Sequence, residues 1–428
     1  MKAIGIDIGT TSVCGVVIDS ETGEMLRSCT KNSNAFIKSD NDWEKIQSVE
    51  KIMATATGIL DELTDEDVSV IGVTGQMHGI VYTDKDGNAV SPLYTWQDER
   101  GNKPYKNTTY AKYLNSFSGY GNVTDFYNRE NGIRPEEAVC YCTIHDYFVM
   151  KLCSLKKPLM HSSDAASFGC YDLKTNKFSY DCNVDITADY AIAGKYKGIP
   201  VSVAIGDNQA SVFSTLADEK NILINIGTGS QVSIVSSMPV VSDNTETRPY
   251  FEEKYLIVGS ALCGGRAYSL LKNFYAEILG YIAPTDDDKV YEILGKMLEK
   301  ADKSSLKVDT RFAGTRKNPE ICGSITGITT ENFDPSQIAR GVLEGMATEL
   351  FDMYKEMEAE KSGIVASGNG IRKNAALVKI FEEMFNSDMK VPKHLEEAAF
   401  GAALFALVAC GEFKNARDVQ NIIKYKEG

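Results

Sequence analysis

The sequence predicts an α/β protein built from two domains, and three observations lead to this prediction. The chain has 428 residues, which exceeds the size at which one hydrophobic core usually stops growing. Strand-like apolar segments alternate with segments whose apolar residues recur every three or four positions, as on one face of a helix. Residues 221–235 repeat the pattern of residues 3–17. This repeat suggests a duplicated fold with a boundary near residue 218, between domains 1–218 and 219–428.

Composition limits the classes of function. Hydrophobic residues make up 43% and charged residues 24% of the chain, as in a globular protein. The formal net charge of −14 comes without any run of lysines or arginines, which argues against nucleic acid as a partner. No apolar run approaches the roughly 20 residues of a membrane helix. The ten cysteines include no CxxC pair or zinc spacing, which favours reduced thiols and a cytoplasmic location. Oligomeric state stays open, with a homodimer as one possibility.

The first half of the chain is predicted to open with a β-hairpin. "KAIGIDIGTTSVCGVVID" has the pattern of strand, Gly-Thr turn and strand. Apolar positions from Asp42 to Leu63 predict a helix, and a strand at 69–74 follows. Residues 133–153 are predicted to be helical with a proline near the start, and residues 201–212 return to strand and turn.

The second half begins with a similar hairpin, "NILINIGTGSQVSIV". Apolar spacing predicts a long amphipathic helix over 336–358. A strand-like "GIVAS" precedes a helix near residue 370, and "EEAAFGAALFALVACG" predicts another helix that Gly411 ends.

The two hairpin turns, "DIGTTS" and "NIGTGS", are candidates for phosphate binding. Glycine lets the backbone approach a ligand closely, and consecutive N–H groups and hydroxyls can surround phosphate oxygens. Gly-Thr hairpins are common, but two in matching contexts favour ATP binding over ordinary turns. Asp7 could cap its turn as an Asx residue, but holding Mg²⁺ against the phosphates is the better role. The candidate ATP ligands here are Gly9, Thr10, Thr11, Ser12, Gly227, Thr228 and Gly229.

Asp207 is the most unusual acid in the chain. It follows an apolar, strand-like segment and a glycine, and precedes Asn208. A charge at the end of a core strand must be solvated, paired or in use, because burying it alone is costly. Position alone leaves these three alternatives open.

The motifs resemble those of one known family. The chain has neither a Walker A sequence nor GxGxxG, so P-loop and Rossmann folds are not supported. Paired Gly-Thr hairpins on a duplicated scaffold resemble the actin, Hsp70 and sugar kinase superfamily. Within it, the chain is similar to the FGGY carbohydrate kinases in segments that follow the family's order: "TGQMHGIVYTDKDGNAVSPLYTWQDERG", "DAASFGCYDL", "AIGDNQAS", "INIGTGS", "ALCGG", "FAGTRKNPEICGSITGI", "VASGNGIRKNAAL" and "EEAAFGAAL".

This resemblance implies two ribonuclease-H-like domains with an interdomain cleft, and ATP with Mg²⁺ as phosphate donor. It implies that Asp207 is the catalytic base for the attacking sugar hydroxyl, and that Asn208 contacts another hydroxyl. Without the family context, His78 could be an ordinary satisfied histidine and Trp96 a core residue. The sugar-binding residues implied by the resemblance are Met77, His78, Trp96, Asp98, Arg100 and Asn208.

The adenosine end of ATP is expected at "ASGNGIRKN". Gly368 allows close approach of the backbone, while Asn369 and Asn374 can form hydrogen bonds with base or ribose. One departure from the family pattern is Cys322, which stands where many relatives carry arginine.

The resemblance implies phosphorylation of a ketose at its terminal hydroxyl. "GQMHG" is similar to segments of xylulose and sedoheptulose kinases, whereas "TWQDER" looks more like the sedoheptulose kinases. Sedoheptulose is therefore the first expectation and D-xylulose the alternative. A hypothesis of another class is an actin- or Hsp70-like protein that binds nucleotide without phosphorylating a sugar.

Overall fold

A computed structural model describes residues 1–284 and 286–426 of the chain. Its contacts divide the chain into two compact units. Unit 1 consists of Met1–Ala217, Arg248–Lys254 and His394–Lys424. Unit 2 consists of Asp218–Thr247, Tyr255–Lys393 and the residues from Tyr425 onward. Two segments from the second half of the chain thus belong to unit 1.

Unit 1 is built on a seven-stranded sheet with the order β13-β14-β5-β1-β2-β3, in which β15 also pairs with β5. β1 and β2 form the predicted antiparallel hairpin, and β1 pairs in parallel with β5. The strands of this unit are β1 (Lys2–Ile8), β2 (Ser12–Asp19), β3 (Met25–Asn32), β4 (Ile46–Gln47), β5 (Val68–Gly75), β6 (Val81–Thr83), β7 (Leu93–Tyr94), β8 (Pro104–Tyr105), β9 (Thr108–Thr109), β10 (Cys140–Cys142), β11 (Tyr171–Asp172), β12 (Lys177–Phe178), β13 (Ile192–Tyr196), β14 (Ile199–Ser202) and β15 (Ile205–Gly206).

Six helices of unit 1 precede residue 218, and two come from the C-terminal segment. A short 3₁₀ helix spans Arg100–Asn102. The α-helices are α1 (Val49–Leu63), α2 (Tyr110–Tyr113), α3 (Gly121–Glu130), α4 (Ile144–Leu152), α5 (Ser162–Ser167), α6 (Asp207–Thr215), α12 (Glu397–Ala409) and α13 (Ala416–Gln420).

The predicted start of the first helix was wrong. α1 begins at Val49, where the Ser48 side chain caps the helix by accepting a hydrogen bond from the Lys51 N–H. Upstream, Ile46 and Gln47 form β4, which pairs with β7. Ile46 packs on the core from a strand, and Trp43 lies in a turn, so the helical spacing before Ser48 was accidental.

Two other predictions were wrong in part. Residues 133–153 do not form one helix, because β10 occupies the middle and α4 begins only after the capping residue Thr143. The segment 201–212 does not end in a turn: β15 is followed directly by α6, whose first residue is Asp207.

Unit 2 contains a six-stranded sheet with the order β18-β19-β17-β16-β22-β23. Its elements confirm the predicted second hairpin, the long helix over most of 336–358, and the strand and helix around residue 370. The strands are β16 (Asn221–Ile226), β17 (Ser230–Ser236), β18 (Thr245–Pro249), β19 (Tyr255–Ala261), β20 (Lys307–Asp309), β21 (Ser324–Thr326), β22 (Gly363–Ser367) and β23 (Met389–Lys390), of which β18 ends in unit 1. The helices are α7 (Gly264–Gly280), α8 (Asp287–Lys300), α9 (Pro335–Glu356), α10 (Asn369–Arg372) and α11 (Ala375–Phe385).

The two sheets share one topology. In unit 1, β1, β2 and β3 pair antiparallel in succession, while β5 lies parallel to β1 and β14 parallel to β5. In unit 2, β16 and β17 pair antiparallel, β17 and β19 likewise, while β22 lies parallel to β16 and β23 parallel to β22. The duplication inferred from the two hairpin sequences therefore extends to the whole sheet.

Helix α12 is buried against the sheet of unit 1 and against α6. Ten of its residues from Ala399 to Val408 are buried on all sides, as expected for a helix that is hydrophobic all round. Glycines in the sheet permit its close approach: a Cβ on Gly5 would lie 1.8 Å from the Ala399 carbonyl oxygen, and one on Gly72 would lie 1.9 Å from that of Ala402. α12 therefore packs directly on the backbones of β1 and β5.

Two predictions concern the state of the cysteines and the absence of membrane helices. All ten cysteines are free, in line with the absence of CxxC pairs. In the described ranges, none of the helices combines the length and the apolar character that crossing a bilayer requires.

Candidate active site

Asp207 is held at the junction between β15 and α6 in unit 1. The Thr74 hydroxyl donates to the Ile205 carbonyl oxygen at 2.7 Å, and the Ser163 hydroxyl accepts from the Gly206 N–H at 3.0 Å. These two bonds fix the backbone immediately before Asp207. The half-buried carboxylate consequently lies at a helix N-terminus, where the helix dipole favours negative charge.

Asp7 lies near the end of β1, opposite Thr74 of β5. Ile205 of β15 pairs with the same Thr74 from the other side. The end of β5 is therefore flanked by β1, which carries Asp7, and by β15, which leads into α6. The Oδ1 atom of Asp7 is buried and has no hydrogen-bond partner among the described residues. A buried carboxylate oxygen without a partner is costly, and a cation bound at this position would satisfy it.

Burial and neighbouring charges shift the pKa values of Asp7 and Asp207. Burial raises the pKa of Asp7 to about 7, and repulsion from Asp207 and Glu396 adds to the effect. Burial also raises the pKa of Asp207, while attraction to His145 and Arg248 lowers it. Three carboxylates in one partly buried region favour a cation among them.

A second acidic cluster lies behind Asp207. His145, Asp146 and Asp164 are fully buried, their possible ligand atoms lie within 4.8 Å of one another, and the His145 Nε2 atom is 2.9 Å from Asp164 Oδ1. Burial lowers the pKa of His145 and raises that of Asp164 to about 8. Both shifts favour the neutral forms of these buried groups, which reduces the charge in this cluster.

His78 adopts an unusual backbone conformation, with φ at 73°, which costs energy in a residue other than glycine. Its N–H donates to the Ser167 hydroxyl, and its Nδ1 lies 2.7 Å from the Ser167 carbonyl oxygen. A carbonyl only accepts, so Nδ1 carries the hydrogen and Nε2 is an acceptor in the neutral ring. The ring stacks on Tyr120 at 4.1 Å between centroids. The arrangement presents an acceptor suited to a sugar hydroxyl.

Met77 differs from His78 in its surroundings. Its side chain is 4% exposed and packs so closely on Gly206 that a Cβ there would lie 2.7 Å from the Met77 sulfur. The side chain of Met77 therefore supports the backbone next to Asp207.

Trp96 and the two charged residues that follow it lie in different environments. Trp96 is 44% exposed, whereas Asp98 and Arg100 are buried. The Arg100 guanidinium forms two hydrogen bonds with the Asp98 carboxylate, at 2.7 and 3.1 Å, and further bonds with Asn128 and Glu44. This bidentate pair anchors the loop that presents Trp96.

The two glycine turns belong to different units. The first glycine turn, residues 9–11, joins β1 and β2, and its Thr10 hydroxyl accepts a hydrogen bond from the Trp96 indole at 3.0 Å. The second glycine turn, residues 227–229, joins β16 and β17 and packs on the start of α7, where the Gly265 and Arg266 N–H groups donate to the Gly227 and Thr228 carbonyl oxygens.

A cavity of about 1390 Å³ opens beside the second glycine turn, within unit 2. Its lining brings together predicted residues from two distant segments: Gly227, Thr228, Gly368, Asn369 and Asn374. Gly368 has φ at 82°, and a Cβ there would lie 2.5 Å from the Ile226 carbonyl oxygen, so the turn requires glycine. The Asn374 side-chain oxygen caps α11 by accepting from the Leu377 N–H. Its amide nitrogen is thereby oriented as a donor.

Several residues of these sites were not predicted from sequence. Glu396 and Arg248 reach the Asp7 and Asp207 region from segments that return to unit 1 late in the chain. Gly265 and Arg266 line the unit 2 cavity. The Gly-Gly pair directly before a helical pattern, in "ALCGG", was the available signal for this second group.

Two sheets of the same topology, each with a glycine turn at its central hairpin, define the two-domain α/β fold of actin and Hsp70, which solved sugar kinase structures share. Residues 2–188 match the N-terminal domain of the FGGY family of carbohydrate kinases, and residues 222–410 match its C-terminal domain. The chain belongs to the FGGY family and is a carbohydrate kinase. This assignment decides against the hypothesis of a nucleotide-binding protein without a sugar substrate.

Relatives with different sugar names are similar to the whole chain. Sedoheptulokinase of Mus musculus is 27% identical, with 94% of this chain and 97% of that protein aligned. A xylulose kinase of Staphylococcus epidermidis is 24% identical, with 99% and 91% aligned. The crystal structure of xylulose kinase from Rhodospirillum rubrum superposes with a TM-score of 0.86 at 17% identity, covering 100% of this chain and 93% of that chain.

Proposed function

We propose that the protein transfers the γ-phosphoryl group of ATP to the terminal hydroxyl of a ketose, and that sedoheptulose is its substrate. The products are sedoheptulose 7-phosphate and ADP. One observation carries the catalytic part of this proposal: the Asp207 carboxylate lies at the start of α6, beside an Asp7 oxygen that has no hydrogen-bond partner in the described residues.

Asp207 is the proposed catalytic base. The sugar oxygen attacks the γ-phosphorus, the bond to the β,γ-bridging oxygen breaks, and the hydroxyl proton passes to the Asp207 carboxylate. Phosphoryl transfer proceeds through a loose transition state, so the base chiefly orients the hydroxyl and accepts its proton late. Burial raises the pKa of Asp207 on balance, and attraction to Arg248 opposes this rise and so supports the ionised form that the role requires.

Asp7 is the proposed ligand of Mg²⁺. The orphaned Oδ1 atom and the repulsion from Asp207 and Glu396 fit a divalent cation, which oxygen ligands suit. When bound, Mg²⁺ supplies charge neutralisation at the ATP phosphates. The chain itself contributes the N–H groups and hydroxyls of Gly9, Thr11 and Ser12 to phosphate binding.

The other proposed ATP contacts lie in unit 2. There Gly227, Thr228 and Gly229 would bind phosphate through backbone N–H groups. Asn369 and the amide nitrogen of Asn374 would bind the adenosine moiety, and Gly368 would let the backbone approach it closely. Support comes from the cavity, which is lined by both the second glycine turn and the Gly368 turn and has room for a nucleotide.

The proposed sugar contacts are His78, Trp96 and Asn208, with the Met77 backbone beside them. His78 Nε2 would accept from a hydroxyl, and the exposed Trp96 ring would cover the apolar face of the sugar. Asp98 and Arg100 would act indirectly, because their side chains satisfy each other in the interior. They would hold the Trp96 loop in place.

Sedoheptulose is proposed on two grounds. The "TWQDER" segment looks like that of sedoheptulose kinases, and relatives with that name align with nearly the whole chain at 27–28% identity. D-xylulose is the second candidate, since xylulose kinases align at 24%. Ten free thiols are consistent with the cytoplasm as the compartment of the reaction.

A substrate panel tests the proposal. Purified protein is incubated with ATP, Mg²⁺ and one of several C5 to C7 ketoses, and ADP release and the sugar phosphate are measured. We expect the highest kcat/KM with sedoheptulose and phosphate at the C7 hydroxyl. A higher kcat/KM with D-xylulose would favour the second candidate, and phosphorylation of a non-ketose alone would overturn both.

A further inference from the structure

Four polar side chains join the first glycine turn to the residue proposed to cover the sugar. Gln47 Nε2 donates to the Thr10 carbonyl oxygen at 2.6 Å, and Gln76 Nε2 donates to Gln47 Oε1 at 3.0 Å. The Thr10 hydroxyl donates to Gln76 Oε1 at 3.3 Å and accepts from Trp96 Nε1 at 3.0 Å. Gln47 is 0% exposed and Gln76 is 3% exposed, so water does not compete for the bond between these two amides, whereas the bond between Trp96 and Thr10 lies at an exposed position.

The direction of each bond in this ring is determined by chemistry. A carbonyl oxygen can only accept, so Gln47 must present its amide nitrogen to Thr10 and its oxygen to Gln76. Gln76 then presents its nitrogen to Gln47 and its oxygen to Thr10. The Thr10 hydroxyl must therefore donate to Gln76, which leaves its lone pairs to accept the indole N–H of Trp96. No reversed arrangement satisfies every group.

We propose that Gln47 and Gln76 are positioning residues that orient Thr10, and that the Thr10–Trp96 hydrogen bond couples nucleotide binding at the first glycine turn to sugar binding at Trp96. The inference rests on the proposed function, which assigns phosphate to the turn and sugar to Trp96. Its physical basis is the shared atom: the Thr10 hydroxyl belongs to the turn and accepts from the indole, so movement of either changes the geometry of the other.

Coupling of this kind is reciprocal. If nucleotide at the turn favours one position of Trp96, sugar bound against Trp96 must favour nucleotide by the same factor. A ring of buried amides also resists rearrangement more than a single exposed bond, because breaking one member leaves a buried polar group unsatisfied. Gln47 would therefore affect the coupling through its bond to the Thr10 carbonyl oxygen, without touching either proposed ligand.

The first test measures the affinity for AMP-PNP with Mg²⁺, with and without sedoheptulose, by titration calorimetry. We expect sedoheptulose to tighten AMP-PNP binding at least ~5-fold in the wild type. Trp96→Phe keeps an aromatic ring but lacks the donor, and Thr10→Val keeps the shape but lacks the acceptor. Each should reduce the sugar effect to less than ~2-fold, and the double variant should lose no more than either single variant.

Two further variants separate positioning from a purely structural role. Thr10→Ser retains the hydroxyl and should restore the coupling. Gln47→Glu places a carboxylate oxygen opposite the Thr10 carbonyl and should abolish it. The proposal is overturned if Gln47→Glu or Thr10→Val lowers thermal stability but sedoheptulose still tightens AMP-PNP binding as much as in the wild type. It is also overturned if Trp96→Phe leaves this tightening unchanged. Trp96 is 44% exposed, so its variant is expected to fold.

Fluorescence tests the link without any sugar. The chain has two tryptophans, so Trp43→Phe leaves Trp96 as the single reporter. Addition of AMP-PNP and Mg²⁺ should change the Trp96 emission in this background and should have no effect once Thr10→Val is added. An unchanged emission in Trp43→Phe at saturating AMP-PNP overturns the inference. Failure of every ketose as a substrate, with this fluorescence response intact, would instead count against the proposed function.

Discussion

Asp207→Asn replaces one carboxylate oxygen with an amide nitrogen and leaves the size of the side chain unchanged. The proposed base would be lost, and general-base catalysis typically contributes ~10² to 10⁴ in rate. We therefore expect kcat to fall at least ~100-fold, which corresponds to about 2.7 kcal/mol of transition-state stabilisation. Coupled ADP release with sedoheptulose and ATP measures the loss.

The structure also predicts what this substitution leaves intact. Asp207 raises the pKa of Asp7 by repulsion, so removing its charge should favour the ionised Asp7 that Mg²⁺ requires. AMP-PNP affinity in the presence of Mg²⁺ should be equal to or higher than that of the wild type, and thermal stability should not fall. Asp67→Asn, at an exposed acid that pairs with Lys2, is the matched control and should leave kcat unchanged. Turnover of Asp207→Asn within tenfold of the wild type would refute the role of the base.

Three further comparisons test the charges and the packing. The pKa of Asp7 is raised in the folded state from 3.8 to about 7, so its contribution to stability is present at low pH and is lost as pH rises between these two values. Without Mg²⁺, thermal melts of the wild type should lose stability over this range relative to Asp7→Asn and should show no further relative loss above it. Gly5→Ala should lower the free energy of unfolding by about 1–3 kcal/mol or more, because its Cβ would overlap the α12 backbone. Urea titration measures this loss. Gly58→Ala is the control, since open space surrounds Gly58, and it should be neutral or stabilising in the same titration. Asp98→Asn removes the bidentate partner of the buried Arg100 guanidinium and leaves it a single ion pair, with Glu44, so we expect a cost of up to about 3–5 kcal/mol. Glu62→Gln, in an exposed pair, should cost less than about 1 kcal/mol. Equal costs would contradict this assignment.

Local sequence predicted the elements whose residues pack on their near neighbours. Both hairpins followed from short apolar strands on either side of a glycine turn, and α9 followed from its apolar spacing. The start of α1 was missed because Ile46 is apolar for a different reason: it belongs to β4, which pairs with β7, a strand almost fifty residues later in the chain. Helical periodicity cannot distinguish these two causes of burial.

The acids of the candidate site were predictable in part. Asp7 and Asp207 each stand at the end of an apolar segment, which is a local signal. That α6 begins at Asp207 was missed, because polar residues interrupt the helical pattern of "DNQASVFST". Glu396 carried no local signal at all, since it reaches Asp7 only because α12 packs on β1.

The return of α12 to unit 1 has a consequence for the charge of the site. Asp7 and Asp207 are carried by the first 217 residues, but Glu396 and Arg248 arrive with the two returning segments. Glu396 adds to the repulsion that, together with burial, raises the pKa of Asp7, while Arg248 opposes the rise in the pKa of Asp207. A divalent cation bound at Asp7 would favour the ionised form of its carboxyl group. Segments that follow residue 217 thus help to set the charge around a proposed base and a proposed metal ligand that precede it.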